Sequence, residues 1–108
     1  MHKKTTISIL EGSPLYRSLL NRMISSIDGY ALDKVFRDPK SAEVLITAPS
    51  DIVIIDLETG KGGDIFSFFR KLIDMGTVSV IACSQQEDDL LMRQAFSAGA
   101  SGYIVKNS

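Results

Sequence analysis

Five short apolar segments alternate with stretches of helical periodicity along this 108-residue chain, and this alternation most limits the folds open to it. A strand followed by a helix and a further strand favours a parallel pair joined by a crossover. The sequence therefore predicts an α/β protein with a doubly wound, five-stranded parallel sheet. The strand-like segments are rich in β-branched residues and cover residues 5–10, 30–36, 52–55, 78–83 and 103–105.

Helical stripes fill the intervals between these segments. The clearest runs from 14 to 28, where Leu15, Leu19 and Met23 share a face, with Ser13 as the cap and Gly29 at the end. Further helices are predicted to start near Asp38, to run from Asp64 to Gly76, and to cover 86–98. No helical pattern follows the last strand, so we expect apolar surface there unless a partner or a longer chain covers it.

Composition and charge exclude several classes of protein. The hydrophobic fraction is 44%, the charged fraction is 23% and the formal net charge is -1, with no stripe of basic residues. These values are typical of one small globular domain, expected over residues 1–108, and they disfavour direct binding to nucleic acid or insertion in a membrane. The single cysteine, Cys83, lies in an apolar run, and the first residues do not form a secretion signal. We therefore expect a cytoplasmic protein.

Polar side chains stand where four of the predicted strands end. Glu11 closes the first strand, Asp56 the third, Ser84 the fourth and Lys106 the fifth. Because parallel strands of such a sheet end at one edge, where ligands bind, these four groups are expected to gather there.

Two interpretations of this cluster are open. In the simpler one, Glu11 and Lys106 form a rim ion pair, Ser84 and Glu87 form a capping box, and Asp56 begins a turn. In the other, the cluster carries out phosphoryl transfer. A carboxylate can attack phosphorus, while Mg²⁺, a lysine and a hydroxyl neutralise the oxygens.

Four ordered motifs give the chain a family resemblance that covers nearly all of it. The chain resembles the receiver domain of bacterial two-component response regulators, most closely those that precede a helix-turn-helix DNA-binding domain. The motifs are Glu11-Gly12-Ser13-Pro14-Leu15-Tyr16-Arg17, Asp51-Ile52-Val53-Ile54-Ile55-Asp56-Leu57, Val80-Ile81-Ala82-Cys83-Ser84 and Ala98-Gly99-Ala100-Ser101-Gly102-Tyr103-Ile104-Val105-Lys106.

The resemblance implies a flavodoxin-like sheet of order 2-1-3-4-5, with the last helix missing, and a role for each site residue. Asp56 matches the phosphoacceptor, Lys106 the lysine that contacts the phosphoryl group, and Ser84 and Tyr103 the switch pair, in which Tyr103 turns inward on activation. Mg²⁺ would be held by Glu11, Asp56 and, weakly, Glu58, through its backbone carbonyl or its side chain.

The same resemblance implies the partners. A sensor histidine kinase would phosphorylate Asp56, and the change would be read by a dimer partner or by an output domain that is absent from these residues. DNA would be reached only through that output domain, in transcriptional regulation. The implied protein is a switch rather than a turnover enzyme.

Departures from the family pattern define the alternatives. Receivers usually have two adjacent acids after the first strand, whereas this chain has Glu11 and Gly12, so one metal ligand lacks a side chain. Thr59-Gly60 replaces the usual Met-Pro, and Asp64 stands where glycine is expected. The alternative is therefore a pseudo-receiver that binds proteins without being phosphorylated. A small flavin or nucleotide enzyme shares the architecture, but the glycine-rich segment 59–63 lacks the P-loop pattern.

Overall fold

The computed structural model describes residues 3–59, 64–85 and 89–106, and its centre is a sheet of five parallel strands. The strands are β1 (Thr5–Leu10), β2 (Tyr30–Phe36), β3 (Ile52–Asp56), β4 (Ser79–Ser84) and β5 (Gly102–Val105). Their spatial order is β2-β1-β3-β4-β5. The predicted doubly wound sheet and its order are therefore confirmed, and its topological switch point lies between β1 and β3.

Helices connect the strands close to the predicted places. They are α1 (Pro14–Ser25), a single 3-10 turn (Ser41–Glu43) that leads into α2 (Val44–Thr47), α3 (Asp64–Asp74) and α4 (Asp89–Ala98). Ser13 caps α1, because its Oγ accepts a hydrogen bond from the Tyr16 N–H at 3.4 Å. Residues 60–63 and 86–88, which include the predicted glycine-rich turn and Glu87 of the capping box, lie outside the described residues.

Helix α1 ends three residues before the predicted limit of 28. The Ser26 Oγ donates to the Met23 carbonyl at 2.7 Å, and the Ser26 N–H also points to that carbonyl. Such a side-chain bond competes with the next helical turn. The chain then reaches Gly29 at a φ of +90°, a left-handed conformation that glycine adopts without strain.

The two faces of the sheet are covered unequally. Helices α2, α3 and α4 cover one face, where Leu45, Phe68, Phe69 and Ala95 are buried against β3 and β4. Among the described helices, only α1 covers the other face, through Ile24 and the partly buried Leu20. An apolar surface therefore remains beside α1, where Leu19 and Met23 are each 49% exposed and Ile104 of β5 is 39% exposed.

A bulge in β2 fixes the approach of β2 to β1. Ile7 pairs with Leu32 but Ile9 pairs with Val35, so two residues of β2 oppose Ser8. The Ser8 Oγ accepts the Lys34 N–H at 3.1 Å and lies 2.6 Å from the Ser50 Oγ. A polar side chain is therefore tolerated at the buried position of Ser8, because its hydroxyl forms hydrogen bonds at the bulge.

None of the helices in residues 3–59, 64–85 and 89–106 is long and apolar enough to cross a membrane.

Candidate functional site

The carboxyl ends of β1, β3, β4 and β5 meet at one edge of the sheet, as the sequence predicted. Glu11, Asp56 and Ser84 are all buried there, at 1%, 5% and 0% exposure. An open cleft of about 430 Å³ lies above them. Its walls are Glu11, Gly12, Ser13, Tyr16, Arg37, Asp56, Glu58, Thr59, Gln85 and Lys106.

Asp56 is the last residue of β3, and both of its carboxylate oxygens have partners. The Oδ1 accepts the Glu58 N–H at 3.2 Å and lies 3.4 Å from the Lys106 Nζ. The Oδ2 accepts the Thr59 hydroxyl at 2.7 Å. The Asp56 carboxylate is therefore held by a cation, Lys106, near one oxygen and by a neutral hydroxyl, that of Thr59, at the other.

Lys106 follows β5 and joins the two buried acids. Its Nζ donates to the Glu11 Oε1 at 2.6 Å, and the Lys106 and Glu11 side chains are 8% and 1% exposed. The Tyr16 ring lies under the ammonium at 4.4 Å, and the Tyr16 hydroxyl donates to the Lys106 carbonyl at 2.8 Å. The predicted rim ion pair is therefore a buried one, fixed by an aromatic side chain of α1.

Burial and pairing change the pKa values of this pair. Burial raises the pKa of the Glu11 carboxyl, and the hydrogen bonds from Lys106 and the Ser13 N–H oppose this rise. Burial acts to lower the pKa of Lys106, but the hydrogen bond to Glu11 and the nearby charge of Asp56 outweigh it, so that pKa is raised. Lys106 therefore stays charged at neutral pH.

The predicted switch residues contact each other directly. The Ser84 Oγ, at the end of β4, lies 2.7 Å from the Tyr103 hydroxyl in β5. The half-buried Tyr103 ring packs near Phe96 of α4, with 6.4 Å between ring centroids. This hydrogen bond connects the site edge to the surface formed by β4, α4 and β5.

The predicted metal ligands are only partly brought together. Ligand atoms of Glu11, Asp56 and Cys83 lie within 4.8 Å of one another, the group that the described residues offer to a metal. Burial raises the pKa of the Cys83 thiol to about 12, and a protonated thiol is a poor Mg²⁺ ligand. The Glu58 side chain is turned to the loop after β4, where its Oε1 accepts the Gln85 N–H at 3.1 Å.

The side chains of these residues do not form a complete Mg²⁺ site. Magnesium requires oxygen ligands in a near-octahedral arrangement, at about 2.0–2.1 Å. Gly12 supplies no side chain, the Glu11 Oε1 is bonded to Lys106, and the Asp56 Oδ2 is bonded to Thr59. Among the described residues, no buried side-chain polar atom lacks a hydrogen-bond partner. The Mg²⁺ expected from the sequence therefore lacks a prepared set of ligands.

Three residues shape the site without having been assigned to it from the sequence. Thr59 joins two elements, because its Oγ1 accepts the Gly12 N–H at 3.0 Å and donates to Asp56. Tyr16 supports Lys106, and the Arg17 Nη1 donates to the Glu11 and Gly12 carbonyls at 2.9 and 3.1 Å. Tyr16 and Arg17 belong to the motif after the first strand that carries the family resemblance. Thr59 could be noticed in the sequence only as a departure from the family pattern.

The order of the strands and the cleft at the switch point define a flavodoxin-like α/β protein. The response regulator receiver domain is the family whose sequence model matches this chain, over residues 7–108. The chain belongs to this family. A search of curated proteins gave no match.

Solved structures agree with this assignment. A two-component response regulator of the LuxR family from Aurantimonas sp. SI85-9A1 is 27% identical, with a TM-score of 0.83 over 96% of this chain and 75% of that chain. The response regulator domain of Thermotoga maritima CheB is 20% identical, with a TM-score of 0.84 over 96% and 79%. The isolated REC domain of RcsB from Salmonella enterica serovar Typhimurium is 13% identical, with a TM-score of 0.85 over 96% and 78%. The last two support the fold alone.

Proposed function

We propose that this receiver accepts a phosphoryl group on Asp56 from a sensor histidine kinase. The observation that carries the proposal is the position of Lys106, whose Nζ lies 3.4 Å from the Asp56 Oδ1 at the carboxyl end of β3. A fixed ammonium there would neutralise the oxygens of a phosphoryl group. The protein changes state once per phosphorylation, so it acts as a switch rather than as a turnover enzyme.

In the proposed transfer, an oxygen of the Asp56 carboxylate forms a bond to phosphorus. The bond between phosphorus and the donor nitrogen breaks, and its electron pair leaves with the donor. Lys106 and the Ser84 hydroxyl then bind phosphoryl oxygens. Since the Ser84 Oγ contacts the Tyr103 hydroxyl at 2.7 Å, a movement of Ser84 alters the environment of Tyr103. The result is a shift between two populations of the β4, α4 and β5 surface.

The proposed output is transcriptional regulation in the cytoplasm. The motifs resemble receivers that precede a helix-turn-helix domain, and the 27% identical relative is a LuxR-family response regulator. DNA would be contacted through such an output domain rather than through these residues, whose net charge is -1. The free, buried thiol of Cys83 is consistent with a reducing compartment.

The phosphorylation proposal predicts a mass change that depends on one residue. Incubated with a small phosphodonor such as acetyl phosphate, or with a histidine kinase and ATP, the protein gains the mass of one phosphoryl group. Asp56→Asn gains none, because the amide cannot act as the nucleophile. Intact-protein mass spectrometry measures both. A wild-type protein that stays unmodified under all conditions would refute the proposal.

A protein-interaction module that is never phosphorylated is the second candidate, and Gly12 favours it. The site lacks one acid, and both Asp56 oxygens already have partners within the protein. The two candidates differ in the response to Gly12→Asp. If this variant is phosphorylated in the presence of Mg²⁺ and the wild type is not, the interaction module is the correct function.

We further propose that residues 1–108 act as one receiver domain that associates with a second copy through the apolar surface beside α1. Leu19, Met23 and Ile104 line a groove of about 200 Å³ on this surface. Continuous exposed apolar surface of this kind typically marks an interaction site.

This association predicts a change of mass in solution. Sedimentation velocity should show a concentration-dependent dimer for the wild type and a weaker one for Leu19→Glu. The matched control is Val44→Glu, since Val44 is 44% exposed on α2, across the sheet. A strictly monomeric wild type, or equal losses in both variants, would contradict the proposal.

A further inference from the structure

We propose that the Thr59 hydroxyl, rather than a bound metal ion, orients the Asp56 carboxylate for reaction. Thr59 is then a positioning residue: it acts through Asp56 and does not itself react. This role of Thr59 also explains how the site keeps its geometry although the set of metal ligands is incomplete.

The Thr59 hydroxyl forms hydrogen bonds to two segments of the site. Its Oγ1 donates to the Asp56 Oδ2 at 2.7 Å and accepts the Gly12 N–H at 3.0 Å. Thr59 is 6% exposed, so water competes little for these bonds. One hydroxyl therefore ties the end of β3 to the turn after β1, the two segments that a metal ion between their acids would otherwise connect.

The two oxygens of Asp56 give the second argument. Thr59 binds the Oδ2, while the Oδ1 accepts the Glu58 N–H at 3.2 Å and faces the Lys106 ammonium at 3.4 Å. Without Thr59, the contacts at the Oδ1 would be the ones left, and the Oδ2 could turn about the terminal bond of the side chain, whose energy profile is broad. With Thr59 in place, the Asp56 Oδ1 stays fixed next to Lys106, the cation that would neutralise the phosphoryl charge.

The space beside Gly12 gives the third argument. A Cβ at position 12 would lie 3.4 Å from the Thr59 Oγ1 and 3.6 Å from its Cγ2. These are ordinary contact distances, so the Thr59 side chain lies directly beside the place that a side chain at position 12 would take. The Thr59 hydroxyl is therefore a near neighbour of the position at which receivers usually carry the second acid.

The test compares Thr59→Val, which keeps the shape and removes the hydroxyl, with Thr59→Ser, which keeps the hydroxyl. One readout is the hydrogen exchange rate of the Gly12 amide by NMR in the resting protein. The other is the rate of phosphorylation by acetyl phosphate, which rests on the proposed function.

We expect Thr59→Val to slow phosphorylation roughly ten- to hundredfold, the factor for a lost hydrogen bond to a charged group. Its Gly12 amide should exchange faster, and Thr59→Ser should stay near wild type in both readouts.

Each outcome decides between the alternatives. Wild-type behaviour of Thr59→Val in both readouts overturns the role of Thr59, and so does an equal loss in Thr59→Ser, which would assign the effect to packing of the methyl group. If Thr59→Val does not fold, Thr59→Ala, which leaves room instead of a clash, replaces it. If the wild type takes up no phosphoryl group, the proposed function fails, while the Gly12 amide still tests the hydrogen bonds of Thr59.

Discussion

Replacement of Lys106 by methionine is expected to lower the free energy of unfolding by about 3–5 kcal/mol, the usual cost of breaking a buried ion pair from one side. Methionine fills a similar volume but leaves Glu11 and Asp56, which are 1% and 5% exposed, without the cation between them. Urea denaturation monitored by circular dichroism measures the loss.

An exposed ion pair in the same protein supplies the control. Lys71 contacts Glu43 at 3.2 Å, with side chains that are 56% and 57% exposed, so Lys71→Met should cost at most about 1 kcal/mol. Adding Glu11→Gln to Lys106→Met should restore part of the stability, because one of the two unpaired buried acids is then neutral. Equal costs for Lys106→Met and Lys71→Met would contradict this description of the site.

Gly12→Asp is expected to raise the affinity for Mg²⁺ roughly ten- to hundredfold, the effect of about 1.4–3 kcal/mol from one added ligand charge. The new Cβ has ordinary contact distances, and its nearest neighbours are Thr59 side-chain atoms at 3.4 and 3.6 Å. Without metal the variant should be less stable than the wild type, because a third carboxylate joins Glu11 and Asp56. Thermal unfolding over a series of Mg²⁺ concentrations measures both effects.

Gly12→Asn is the matched control for this prediction. It has nearly the same shape as the aspartate variant without its charge, so its melting temperature should respond to Mg²⁺ as weakly as that of the wild type. If the wild type already binds Mg²⁺ as tightly as Gly12→Asp, the conclusion that its ligand set is incomplete is wrong.

The fold could be predicted because each element carries its own local signal. The apolar run before Asp56, the stripe of α1 and the cap Ser13 each specify structure within a few residues. The end of α1 was predicted wrongly, because the Ser26 side chain satisfies the Met23 carbonyl. The bulge in β2 opposite Ser8 could not be predicted either, because it involves a long-range contact between Ser8 and Ser50.

The positions of four polar residues at one edge of the sheet could be predicted from the sequence, but their contacts could not. Strand ends placed Glu11, Asp56, Ser84 and Lys106 at one edge, and the structure brings them there. The sequence could not indicate that the pair of Lys106 and Glu11 is buried, because burial depends on Tyr16 closing over it from α1. Nor could it indicate that Thr59 approaches Gly12, a contact between residues 47 positions apart.

In the proposed function, Asp56 receives a phosphoryl group and Ser84 and Tyr103 respond to it. The most direct measurement is the ¹H–¹⁵N NMR spectrum of the protein with and without beryllium fluoride, a mimic of the phosphoryl group, in the presence of Mg²⁺. We expect the signals of Asp56, Ser84, Tyr103 and Lys106 to shift in the wild type and to stay in place in Asp56→Asn. Unchanged wild-type spectra, or equal shifts in Asp56→Asn, would contradict the proposed function.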